Sequence, residues 1–128
     1  MKKVHPILFL IFLNICSLQC NEKETTQIID SFIAKWKATS YKINGVQTLG
    51  TVIKSYSMDI RGDNTYTETS IEINNSEFVG TGTWIQAPDS LTFNQTIPGF
   101  RKFTRHFSLP PDSLVLRDHN EEIRFIRE

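Results

Sequence analysis

The sequence predicts an all-β protein: an eight-stranded antiparallel up-and-down β-barrel preceded by a short helix. Beyond about residue 36, apolar and polar residues alternate, as in strands with one buried face. Turn residues such as Asn-Gly and Pro-Asp separate these runs at short intervals. The 128 residues have room for one domain. A sheet this long with one buried face tends to close on itself, and eight strands make a barrel that side chains or one small ligand can fill.

The first element is predicted to be a short helix that begins near Thr25 or Thr26, either of which is suited to cap it. Its apolar residues recur at three- and four-residue spacing and are Ile28, Ile29, Phe32, Ile33 and Trp36. Eight strands rich in Thr, Ile, Val and aromatic residues follow. They cover roughly residues 36–43, 51–61, 65–73, 77–86, 90–96, 100–108, 113–117 and 122–127.

Alternation within the strands predicts which residues face inward. The inward pairs and triplets are Tyr56, Met58 and Ile60; Leu91 and Phe93; Phe103, Phe107 and Leu109; Leu114 and Leu116; and Ile123 and Phe125. Gly80 and Gly82 leave one strand face without side chains, which is typical of a place where a barrel bends.

Composition excludes two classes of protein. The chain has 14 basic and 14 acidic residues, and removal of the first 19 residues would leave 12 basic against 14 acidic. A nucleic-acid-binding protein needs a basic stripe to neutralise phosphates, so we expect no nucleic-acid partner. The 9 Phe, 3 Tyr and 2 Trp are enough for a core, which argues against a disordered chain.

The N-terminus has the three parts of a secretory signal. Lys2 and Lys3 precede an apolar run from Ile7 to Leu13, and a more polar stretch follows. A run of seven residues is far shorter than the roughly twenty that span a bilayer. A buried helix of the mature domain is the alternative, but the flanking charges favour export.

The two cysteines, Cys16 and Cys20, could form a disulfide, bind zinc or mark the cleavage site of this signal. A Cys16–Cys20 disulfide would lie in a segment that is removed, and a zinc site would need further ligands that His106 and His119 do not supply at ligand spacing. Processing before Cys20 resembles that of bacterial lipoproteins, in which this thiol carries the lipid. In the usual cleavage motif of lipoproteins, the lipobox, leucine stands three places before the cysteine and a small residue directly precedes it. Here Leu18 stands one place later and Gln19 is large, so the sequence matches only the relaxed lipoboxes of some bacterial lineages.

This reading divides the chain into a signal peptide at residues 1–19, a lipidated Cys20 with a polar tether at residues 20–26, and a barrel domain at residues 27–128. The implied location is the bacterial cell envelope, with the protein exported and held on the membrane by its lipid.

Four stretches of the chain resemble the bacterial lipocalin-like family: IAKWKATSY, SYSMDIRGDNTYTET, FVGTGTWIQAPDSLTF and FSLPPDSLVLRD. The matching residues are Trp36, Gly82, Trp84, Asp89, Leu91, Asp112 and Leu114. The resemblance implies a lipocalin-like barrel over nearly all of the chain after the tether. It also implies that the first-strand Trp36 closes one barrel end beneath an arginine of the last strand, Arg124 or Arg127.

Residues suited to catalysis do not form a known motif. We therefore expect that the protein has no enzymatic activity and binds no cofactor or metal. His106 is predicted to be a solvated strand residue, and Glu68 and Glu72 are predicted to belong to ordinary sheet surface. Arg101, Lys102 and Arg105 beside Phe103 resemble a small basic patch that could touch lipid headgroups, but a solvated sheet edge protected from aggregation by its charge is favoured.

Two functions fit this sequence. In the first, the barrel binds a small apolar or amphipathic ligand, and the predicted pocket residues are Tyr56, Met58, Tyr66, Trp84, Phe93, Phe103 and Phe107. In the second, these side chains fill a narrow barrel, and the loops of a surface protein contact another protein.

Overall fold

The structure is a computed structural model and describes residues 30–128. Its strands are β1 Ala34–Ile43, β2 Val46–Gln47, β3 Ile53–Ile60, β4 Thr65–Glu72, β5 Glu77–Gln86, β6 Ser90–Ile97, β7 Arg101–Ser108, β8 Ser113–Arg117 and β9 Glu121–Arg127. All eight predicted strands are present, with ends within two residues of the predicted ones. The additional strand, β2, is a two-residue extension that pairs with the end of β1.

Consecutive strands pair antiparallel from β3 to β9, and β1 pairs with both β3 and β9. In the closing register Trp36 lies opposite Met58 on one side and Arg127 on the other. The eight long strands therefore form a closed barrel, and the predicted fold class is confirmed.

The helix prediction was wrong at its C-terminal end. Residues 30–32 are helical, but β1 already begins at Ala34, so Trp36 belongs to a strand. The helical spacing of the apolar residues gave way to strand pairing on both sides of Trp36. The start of the helix, the signal peptide, the tether and the lipidation of Cys20 all lie outside the described residues and remain predictions.

The two ends of the barrel differ. At the end we call the closed end, Phe32 is fully buried against Phe107, with ring centroids 4.7 Å apart, and the turns at residues 61–64, 87–89 and 109–112 surround it. At the other end, here called the open end, the connections are residues 44–52, 73–76, 98–100 and 118–120. Within residues 30–128, no helix is long and apolar enough to span a bilayer.

Predicted turns hold the strands in register. Asn44 and Gly45 have φ values of 51° and 78°, and Asn64, Asn75 and Asp112 also have positive φ. Glycine, asparagine and aspartate adopt this left-handed conformation at low cost. The core between these turns contains the large buried side chains Trp36, Trp84, Tyr66, Phe32, Phe93 and Phe125.

Candidate functional site

Three long polar side chains are buried inside the barrel: Glu68, Gln95 and Arg105 are each 4–5% exposed. Each stands two positions after an inward aromatic residue on its strand: Tyr66, Phe93 and Phe103, respectively. Side chains two positions apart point to the same sheet face. Polar and aromatic residues therefore share the barrel interior.

The surface predictions for Glu68 and Arg105 were wrong. A closed barrel has no free edge for Arg105 to protect, and alternation from Phe103 places it inside. Alternation from Tyr66 does the same for Glu68. This alternation was the sequence signal for both residues, and the polarity of their side chains obscured it.

Arg105 is held by acidic groups from the β8–β9 hairpin. One terminal nitrogen, Nη2, donates a hydrogen bond to the Glu121 carboxylate, and Nε lies 4.0 Å from Asp118 Oδ2. The guanidinium also lies over the Phe103 ring, 5.1 Å from its centroid. Burial opposes its charge, but the neighbouring Tyr56 and Glu121 outweigh burial and raise the pKa of Arg105.

Glu68 accepts a hydrogen bond of 2.6 Å at Oε2 from the Tyr56 hydroxyl. Burial, followed by the charge of Glu68, raises the pKa of Tyr56 well above 10. Burial likewise raises the pKa of Tyr41, and it raises the pKa of Tyr66 to about 12. Each of these hydroxyls therefore ionises at a higher pH than the hydroxyl of an exposed tyrosine.

Several interior polar atoms have no hydrogen-bond partner among residues 30–128. They include Arg105 Nη1, Glu68 Oε1, Gln95 Oε1 and the Tyr66 hydroxyl. A Cβ added to Gly80 would lie 2.8 Å from Glu68 Oε1 and 3.1 Å from Gln95 Oε1, so this glycine makes room for both oxygens. Buried polar atoms are usually paired, which marks this cluster as a place where polar groups meet a ligand or water.

A cavity of about 160 Å³ opens beside this cluster, towards the open end. It is lined by Tyr41, Ile53, Tyr56, Glu68, Ser70, Phe78, Arg101, Phe103, Arg105 and Glu121. Drug-sized ligands occupy pockets of about 300–1,000 Å³. This cavity is therefore the right size for a small molecule or for one end of a longer one.

The seven predicted pocket residues separate into two groups. Tyr56 and Phe103 line the cavity. The others pack elsewhere in the barrel: Met58, Tyr66, Trp84 and Phe93 are buried in the core cluster, and Phe107 packs against it. The cavity residues that the sequence analysis missed, such as Tyr41, Ser70 and Glu121, lie near strand ends that point to the open end.

At the closed end, Arg127 lies over Trp36, with its guanidinium carbon 5.1 Å from the ring centroid. Its Nη2 also donates to the Ser31 carbonyl at 2.8 Å. Arg124, the other predicted partner, lies outside and donates to Glu122. Hydrogen bonds from Arg117 and Arg124 lower the pKa of Glu122 to about 2.

His106 is 70% exposed, with Nδ1 3.5 Å from Asp89 Oδ2, so it lies on the outer surface. The described part of the chain has no cluster of three or more His, Cys, Asp or Glu residues suited to a metal ion.

A closed eight-stranded antiparallel barrel with one plugged end and a small interior cavity at the other is a lipocalin-like fold. A lipocalin-like protein from Bacteroides uniformis has a similar solved structure, with a TM-score of 0.59 and 12% sequence identity over 77% of this chain and 99% of that one. An uncharacterized protein from Bacteroides eggerthii is similar with a TM-score of 0.55 and 9% identity over 75% and 98% of the two chains. No protein-family model and no curated protein matches the sequence.

Proposed function

We propose that this protein is a non-catalytic binding protein of the bacterial cell envelope, exported and anchored by a lipid on Cys20. Its barrel binds one small amphipathic ligand at the open end. The observation that carries the proposal is the cavity beside Arg105, where charged and apolar side chains share one wall.

The cavity lining matches the two halves of such a ligand. Arg101, Arg105 and the hydroxyl groups of the cavity suit a polar head, while Ile53, Phe78 and Phe103 suit an apolar portion. Since Arg105 is already held in place by Glu121, little side-chain order is lost when a ligand binds. A cavity of about 160 Å³ admits the polar head of the ligand and the first part of its apolar portion.

Native mass spectrometry of the full chain, as a bacterial host processes it, tests the proposal. We expect a mature chain that begins at Cys20 with added acyl mass, and a second, non-covalent mass that leaves on activation. Ser70→Trp should fill the cavity and abolish the second mass. Thr69→Trp, on the opposite face of β4, is the matched control and should retain it.

The two parts of the proposal fail separately. A chain without acyl mass at Cys20 would contradict the anchoring and leave ligand binding intact. A chain that carries no non-covalent mass, even after incubation with fatty acids and apolar dyes, would contradict ligand binding. That result would favour the alternative of a filled barrel that acts through its loops.

A further inference from the structure

Exposed apolar side chains are concentrated at the open end of the barrel. Of the ten large hydrophobic residues that are most exposed among residues 30–128, only Ile85 and Ile126 lie towards the closed end. The other eight, called the apolar rim from here on, are Ile43, Val46, Val52, Ile73, Phe78, Val79, Ile97 and Phe100. Single exposed hydrophobic residues are ordinary, but eight at one end are not.

The rim residues lie on the tips and bases of three connections around the cavity mouth. Val46 and Val52 belong to residues 44–52, Ile73 begins the β4–β5 turn, and Phe100 is the last residue of the β6–β7 connection. Phe100 is 94% exposed. Turns favour Gly, Pro, Asn, Asp and Ser, so an exposed phenylalanine in this connection is not explained by turn geometry.

Both signs of charge accompany the rim. Arg101 and Lys102 directly follow Phe100 and are exposed, and Lys54 Nζ lies 2.9 Å from Asn75 Oδ1 beside the β4–β5 turn. Glu72 and Glu77 flank the same turn. Arg101 turns to the cavity, where its guanidinium carbon lies 5.0 Å from the centroid of the Phe103 ring. Lys102 is exposed and is placed to contact a phosphate group while its aliphatic portion lies along an apolar phase.

We propose that the apolar rim docks the barrel, mouth first, on the surface of a phospholipid bilayer. A protein interface needs a continuous packed centre, whereas these side chains stand on separate connections around a polar opening. A fluid bilayer accepts separate apolar tips in its headgroup region and supplies phosphates for the exposed Lys54 and Lys102. The inference goes beyond the proposed function, because docking requires no ligand in the cavity.

Site-specific tryptophan fluorescence tests the orientation directly. Ile97→Trp places a reporter on the rim, and Ile85→Trp places one towards the closed end. The native isoleucines are 63% and 60% exposed, so the two sites are closely matched. Trp36 and Trp84 are 1% and 2% exposed and give a constant background from the core. Both full-length variants are reconstituted in phosphatidylcholine–phosphatidylglycerol vesicles with brominated acyl chains.

On the bilayer, emission of the Ile97→Trp reporter should shift to shorter wavelength and lose intensity to the bromine atoms. The Ile85→Trp reporter should keep the emission of an exposed tryptophan. Adding Phe100→Asp should reduce quenching at position 97, while Ile126→Asp should not. Near-ultraviolet circular dichroism checks that each variant is folded.

Three results would overturn the inference. Equal quenching at both positions would mean that the barrel has no preferred orientation, and stronger quenching at position 85 would mean that it lies closed end down. A blue shift at position 97 that depends on protein concentration and needs no lipid would assign the rim to contact between two copies of this chain.

Discussion

At the scale of single residues, two buried tyrosines of the barrel interior differ in whether the hydroxyl has a hydrogen-bond partner. Tyr56 and Tyr66 are both buried tyrosines on neighbouring strands. The Tyr56 hydroxyl donates to Glu68, whereas the Tyr66 hydroxyl has no partner among the described residues. The same substitution at the two positions therefore isolates the value of the hydrogen bond.

Tyr56→Phe should lower the free energy of unfolding by about 1–3 kcal/mol, because it leaves Glu68 Oε2 buried without its donor. Tyr66→Phe should lower it by less, since the hydroxyl that it removes has no protein partner among the described residues. Urea unfolding of both variants measures the difference. A loss at Tyr66→Phe as large as that at Tyr56→Phe would show that packing, not the hydrogen bond, determines both values.

The candidate site could be predicted from the sequence only in part, and the reason lies at this scale. Alternation placed Tyr56 and Phe103 inside correctly. It also places Glu68 and Arg105 inside, yet isolated charges are so costly to bury that the surface was the better prediction. Glu68 is paired with Tyr56 on the neighbouring strand β3, and Arg105 with Glu121 on β9, two strands away; the alternation pattern does not show that these partners meet inside the barrel.

At the scale of elements, β5 bends where it passes β6. The register shifts between Thr81 and Gly82, and a Cβ at Gly82 would lie only 2.0 Å from the backbone oxygen of Asn94. No rotamer of a flexible side chain relieves such a contact, because the obstructing atoms belong to the backbone of β6. The glycine is therefore required by the close approach of two strands.

Gly82→Ala should lower the free energy of unfolding by about 3 kcal/mol or more, because β6 must move away from β5. Gly99→Ala is the matched control: nothing lies within 4 Å of its added Cβ, so stability should stay within about 0.5 kcal/mol. Thermal or urea unfolding measures both. A mild effect at Gly82 would mean that the bulge can shift without breaking the β5–β6 pairing.

Element boundaries were largely predictable because turn chemistry is local. The Asn-Gly and Pro-Pro-Asp signals fall where the chain takes positive φ, at Asn44, Gly45 and Asp112. The helix prediction failed at Ile33–Trp36 because the deciding contacts are distant in sequence: β3 and β9 pair with β1 there. Local pattern predicts an element well until a strand pairing competes for the same residues.

At the scale of the whole molecule, most of the exposed large apolar side chains among residues 30–128 lie at the open end of the barrel. The closed end carries the Phe32 plug and the Arg127–Trp36 contact, while the open end carries the cavity and the apolar rim. The sequence analysis predicted a closed barrel and a contact between Trp36 and an arginine at one end, but not the apolar rim, since the rim residues are scattered through the chain and only the topology gathers them.

The barrel interior contains all three tyrosines of the chain. Their burial determines how the stability of the fold changes at alkaline pH. The pKa values of Tyr41, Tyr56 and Tyr66 are all raised above 10 by burial, that of Tyr66 to about 12. A group whose pKa is raised in the folded state stabilises the fold fully below its unfolded pKa, and this stability is lost as the pH rises through the folded value. Stability should therefore fall from about pH 10 upwards.

Alkaline titration of tyrosinate absorbance measures this coupling for the whole barrel. We expect less ionisation at pH 10 than in the unfolded chain, followed by a cooperative rise in absorbance that coincides with loss of near-ultraviolet circular dichroism. In concentrated urea the same tyrosines should titrate near the ordinary value of about 10, which provides the control within one sample. If one of the three tyrosines ionises near pH 10 while the circular dichroism is unchanged, its hydroxyl is open to solvent in the folded barrel, and burial does not raise its pKa.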